Sequence, residues 1–124
     1  MKLRIKGNKI RFRLSKSELD YFSQFKKVEE KTEFGTSVLT YSIEQSISSE
    51  KLNAQFKDNH IALSIPTAMA EQWINSNSVG FESEQDIGNG KKIFLLVEKD
   101  FKCLDETSED QSDNYDNPLA NLNK

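Results

Sequence analysis

The sequence predicts an α+β fold in which an antiparallel sheet or partly open barrel of about eight strands is built from two hairpin-helix-hairpin halves with two helices in all. Three observations predict it. Apolar and polar residues alternate with period two in three paired runs, as half-buried strands require, and a fourth pair ends in a continuously apolar strand. Short segments at helical spacing separate those runs. The whole order of elements then restarts at Leu52.

In the first run Leu3, Ile5, Ile10, Phe12 and Leu14 alternate with Lys2, Arg4, Lys6, Lys9, Arg11 and Arg13. Gly7-Asn8 suits a two-residue type II′ turn, because glycine accepts positive φ at its first position. Such a turn pairs Lys6 with Lys9, Ile5 with Ile10, Arg4 with Arg11 and Leu3 with Phe12. Ser15-Lys16-Ser17-Glu18 is a capping-box pattern, and Leu19, Phe22 and Phe25 follow on one side, which predicts a helix of about ten residues. Lys26 and Lys27 close it favourably against the helix dipole. Val28, Glu30, Thr32 and Phe34, then Leu39, Tyr41 and Ile43 beyond Gly35-Thr36, read as a second hairpin.

Ser46 to Lys51 is polar and aperiodic, a connection. Leu52, Ala54 and Phe56 then face Ile61, Leu63 and Ile65 across Asp58-Asn59, a favoured hairpin turn, with Phe56 opposite Ile61 and Ala54 opposite Leu63. Pro66 stops the strand. Thr67 is placed to cap a helix that buries Met69, Ala70, Trp73 and Ile74. A last hairpin joins Phe81–Ile87 to Ile93–Val97 through Gly88-Asn89-Gly90, and its second strand, apolar on both faces, is expected at the centre of a sheet.

A shift of 51 residues superimposes the halves without gaps from the start to Glu33 on Glu84, with Lys6/Lys57, Asn8/Asn59, Ile10/Ile61 and Val28/Val79 identical and Phe22 on Trp73. The order of elements carries this argument more than identity does. The expected organisation is a single α+β domain over residues 1–104, with an internal pseudo-repeat (1–45 and 52–98), followed by a flexible acidic tail over 105–124.

Charge divides along the chain. The 124 residues carry a net charge of −3, yet the tail holds Asp105, Glu106, Glu109, Asp110, Asp113 and Asp116 against Lys124 alone, whereas residues 1–27 hold nine Lys/Arg against Glu18 and Asp20. A single cysteine excludes an internal disulfide and suits a reducing compartment. The opening Met-Lys-Leu-Arg-Ile-Lys lacks the apolar run of a signal peptide, and no stretch approaches about 18 apolar residues, so a cytoplasmic domain without membrane contact is expected.

The opening Met1-Lys-Leu-Arg-Ile-Lys-Gly-Asn8 and the closing Val97-Glu-Lys-Asp-Phe101, then Cys103-Leu104-Asp105, resemble a family of small uncharacterised bacterial proteins, as do Thr32-Glu33-Phe34-Gly35 and Asp86-Ile87-Gly88-Asn89-Gly90. The resemblance implies a stand-alone bacterial domain. It supplies no activity, catalytic residue or substrate.

The strongest candidate site is an anion-binding face formed by Lys2, Arg4, Lys6, Lys9, Arg11 and Arg13, which the hairpin register gathers on one side. Directly opposed like charges destabilise a sheet by about 0.2–1 kcal/mol per pair, so something must offset them. A phosphate ligand would do so, Arg giving bidentate contacts and Lys a point charge. Neighbouring acids would also do so, with Glu82, Glu84 and Asp86, or Glu29 and Glu33, as candidates. If the strands instead curl with their charged faces inside, Glu82, Glu84 and Asp86 become hard ligands for Mg²⁺ or Mn²⁺, an arrangement that resembles the triphosphate tunnel enzymes. Lys2-Leu-Arg-Ile-Lys6 stands where those enzymes carry Glu-x-Glu-x-Lys, and Glu29-Glu-Lys-Thr-Glu33 has the order changed.

The acidic tail is close in charge to the cationic face and could screen it. His60 is expected to face solvent, Cys103 to be a buried or edge thiol, and Trp73 to sit in the core. No Walker-type, nucleophile-elbow or dinucleotide-binding motif occurs. The expectation is therefore a small binding module without a cofactor, whose partner is an anionic ligand; the alternatives are a metal-dependent phosphohydrolase of triphosphate-tunnel type and a protein-interaction domain that uses an exposed strand edge.

Overall fold

A computed structural model describes residues 1–101; the acidic segment 105–124 and Cys103 lie outside the described residues. Eight strands and two helices follow one another as β1 (Lys2–Lys6), β2 (Lys9–Leu14), α1 (Lys16–Phe25), β3 (Lys27–Glu33), β4 (Val38–Ser46), β5 (Asn53–Lys57), β6 (His60–Pro66), α2 (Thr67–Ile74), β7 (Gly80–Gly88) and β8 (Lys91–Lys99). They form two four-stranded sheets, β1-β2-β8-β7 and β3-β4-β6-β5, without a closed barrel.

All four hairpins are antiparallel, and the first and third have the registers that their turns predict, Lys6 opposite Lys9 and Phe56 opposite Ile61. Between hairpins the pairing is parallel rather than antiparallel: β2 runs alongside β8 and β4 alongside β6. Local alternation says which face of a strand is buried but not which hairpin it joins. Each sheet takes one hairpin from residues 1–46 and one from residues 53–99, so neither segment completes a sheet by itself. As expected, β8 is a central strand.

The sheets bury their apolar faces against each other and the helices. Phe12, Leu14, Phe22, Ile43, Leu63, Ile65, Trp73, Leu95 and Val97 are essentially inaccessible. Trp73 meets Phe22 and Phe81 edge-on at ring separations of 6.4 and 5.5 Å, and its indole N–H donates to the Val79 carbonyl at 3.0 Å, so its polar atom is satisfied inside the core.

Ser15 and Glu18 form the expected capping box on α1. Glu18 serves a second purpose, because its other carboxylate oxygen receives the Met1 ammonium, which also donates to Glu30 at 2.6 Å. Three local expectations are corrected. The N-cap of α2 is Pro66, with Thr67 already helical and no side-chain cap. Phe25 is exposed and packs against Tyr21, four residues earlier on α1, with the tilted rings 4.5 Å apart. The gapless shift also fails after the helices: Val28 is buried opposite Ile43, while Val79 is exposed and Phe81 takes the place opposite Val97. The longer connection between α2 and β7 causes the slip.

Candidate anion-binding face

Because Ile10, Phe12 and Leu14 point into the core, Lys9, Arg11 and Arg13 must point outward, and the register sets Lys6, Arg4 and Lys2 beside them on β1. Three directly opposed cation pairs result: Lys2/Arg13, Arg4/Arg11 and Lys6/Lys9. Strand geometry spaces these rows by roughly 6.7 Å. Arg4, Lys6, Lys9 and Arg11 wall a depression of about 120 Å³.

Acidic neighbours offset part of the repulsion, though not those the strand sequence suggests. Arg11 Nε lies 2.9 Å from Glu98 Oε1 on β8, and Lys2 Nζ lies 2.8 Å from Asp100 Oδ2. The hydrogen bond from Lys2 holds the Asp100 carboxyl below the usual carboxylate range, with the Lys2 and Arg13 charges acting in the same direction. Glu82, Glu84 and Asp86 are on the same outer face but on β7, separated from β2 by the whole of β8. Glu84 binds Lys92 at 3.1 Å, and this contact raises the Lys92 pKa above its ordinary value.

This placement corrects the tunnel expectation. Its premise was charged faces turned inward, whereas Glu82, Glu84 and Asp86 are exposed on the exterior and the facing sheet surfaces are apolar. Among the described residues no group of three or more His, Cys, Asp or Glu is placed to hold a metal ion.

Other residues carry geometry that sequence reasoning missed. His60 does not simply face solvent: its Nε2 lies 2.7 Å from the hydroxyl of the fully buried Ser42. Gln85 both donates to and accepts from the Ala54 backbone, at 3.0 and 2.7 Å, and so ties the β7 edge of one sheet to the β5 edge of the other. Phe94 and Leu96 belong to the strand expected at the centre of a sheet. Phe94, with Leu96 two residues on, stands on the outer face opposite Lys9, and Leu96 stands opposite Arg11, so an apolar strip divides the cations from the acids.

One comparison with known proteins places the molecule: a family of unknown function, DUF7009, matches over residues 1–119. The chain belongs to the DUF7009 family. No curated protein and no solved structure matches it. The DUF7009 fold thus comes with no activity assigned by likeness, and its chemistry has to be read from its own surfaces. Among the described residues, no helix is long and apolar enough to cross a membrane.

Proposed function

We propose that the outer face of β1 and β2 binds a phosphate-bearing polyanion and that the protein is a binding module rather than an enzyme. The observation that carries this reading is the register itself, which stacks three opposed cation pairs on one exterior surface despite their mutual repulsion. An anion bridging each pair converts that repulsion into attraction. Rows at this spacing along a strand suit successive phosphates of an extended chain, with Arg gripping phosphate oxygens bidentately and Lys contributing charge.

A duplication supports the same reading. Equating β1, β2, α1, β3 and β4 with β5, β6, α2, β7 and β8 carries each sheet onto the other. The positions of the six cations are then occupied on the second sheet by Asn53, Gln55, Lys57, His60, Ala62 and Ser64. Shared folding requirements do not call for the difference in charge, and a ligand on one face does.

Titrating a fluorescent single-stranded oligonucleotide and, separately, inorganic polyphosphate at rising ionic strength tests the proposal and tells the two sources of phosphate apart. Binding should weaken steeply with salt. Truncation after Leu104 should tighten it, because residues 105–124 carry six acids against one lysine and compete for the same cations. Failure of both probes to bind at low ionic strength would sink the proposal.

A further inference from the structure

The outer face of the β1-β2-β8-β7 sheet is bipolar, and its two poles are aligned row by row. Following the register across the sheet, one row reads Arg4, Arg11, Leu96, Glu82, and the next reads Lys6, Lys9, Phe94, Glu84. Each row therefore runs from cation through an apolar side chain to carboxylate. Phe94 is 43% exposed, unusual for a phenylalanine on a central strand. Lys9, Glu82, Glu84, Phe94 and Leu96 line a shared depression of about 470 Å³, which puts both charges and the apolar strip on one continuous surface.

We infer that this face docks a second copy of the same chain about a twofold axis lying in the interface and parallel to β8. Rotation about that axis keeps the level along the strands and reverses their lateral order. Phe94 then meets Phe94 and Leu96 meets Leu96. Arg11 and Lys9 on β2 then meet the Glu82 and Glu84 of the same rows in the other copy, while Arg4 and Lys6 on β1 lie beyond its β7 edge. Such a contact is isologous and closes as a dimer. An axis perpendicular to the strands would set different rows against each other and lose this match. Sheets packed in this way lie about 10 Å apart with strands nearly aligned. Four strands span roughly 19 Å and the two rows stand only about 6.7 Å apart, which places the contact among small, reversible interfaces. The inference uses charges of both signs and does not depend on phosphate binding, although a polyanion on β1 and β2 would compete with the second copy.

Sedimentation velocity across a concentration series at low salt, using the full chain, should show the 14.2 kDa monomer passing toward twice that mass. Phe94→Glu should abolish the dimer while leaving the circular dichroism spectrum unchanged, since the side chain is outside the core. The decisive test pairs two charge variants, Glu82→Lys/Glu84→Lys and Lys9→Glu/Arg11→Glu. Each alone should be monomeric, and an equimolar mixture should form a heterodimer at the same total concentration. A wild-type monomer at every concentration, or a dimer indifferent to these changes, would overturn the inference. So would binding of a synthetic 105–124 peptide to the face of a persistently monomeric protein. Phosphate binding is read separately on Glu82→Lys/Glu84→Lys, which keeps Lys6 and Lys9; its loss there would count against the proposed function and not against the dimer.

Discussion

His60 Nε2 lies 2.7 Å from the Ser42 hydroxyl, and Ser42 is the one buried polar side chain among the described residues. It sits on the internal strand β4, flanked in the sheet by β3 and β6. Removing the imidazole while keeping its bulk leaves that hydroxyl without its partner, so His60→Phe should cost about 1–3 kcal/mol. Adding Ser42→Ala should recover most of the loss, because no orphaned group then remains. Urea denaturation of the two single variants and the double variant measures the difference; strictly additive costs would show that the contact contributes little.

Gly80 is required for closeness rather than for turning. A Cβ at this position would fall 1.8 Å from the Val97 carbonyl oxygen, a backbone atom that cannot move without disturbing the β7–β8 ladder. Gly80→Ala should destabilise by about 3 kcal/mol, toward the upper end of overpacking costs, and should lower the urea midpoint. Gly35→Ala serves as the comparison. Nothing lies within 4 Å of a Cβ there, and its cost should reflect only the positive φ.

Much of this architecture was legible in the sequence, for a physical reason. Period two fixes which face of a strand is buried, and a two-residue turn fixes hairpin register, so the pairings of Lys6 with Lys9 and Phe56 with Ile61 follow from local chemistry. The parallel joining of β2 to β8 depends on contacts some 85 residues apart and has no local signature. For the same reason the six cations could be placed on one face, but their acidic neighbours could not. Glu98 and Asp100 reach the cations because β8 lies next to β2, whereas Glu82, Glu84 and Asp86 stand one strand further away. The contacts of His60 with Ser42 and of Gln85 with Ala54 are likewise products of sheet assembly.

The Lys2–Asp100 contact makes a pH prediction. Because the folded-state pKa of Asp100 is depressed below the usual carboxylate range, chiefly by the hydrogen bond from Lys2, the pair stabilises the fold above the unfolded value and loses that contribution as pH falls through the folded one. Lys2→Gln should return the Asp100 carboxyl toward its ordinary titration and flatten this part of the acid limb of the stability curve. Carboxyl-detected NMR titration of both proteins reads the shift directly. An unchanged Asp100 titration would mean that the contact does not persist in solution.

The claim that the cations on β1 and β2 form a phosphate-binding face is tested most directly by the salt dependence of oligonucleotide binding in wild type and in Lys6→Gln/Lys9→Gln. Removing two phosphate-neutralising charges should reduce the slope of log K against log salt by about 1.4 for a single strand, with weaker binding at every salt concentration. Lys51→Gln/Lys57→Gln, which removes two lysines outside this hairpin, should leave both slope and affinity as in wild type. An equal loss in both double variants would contradict the account, because binding would then follow overall charge rather than this face.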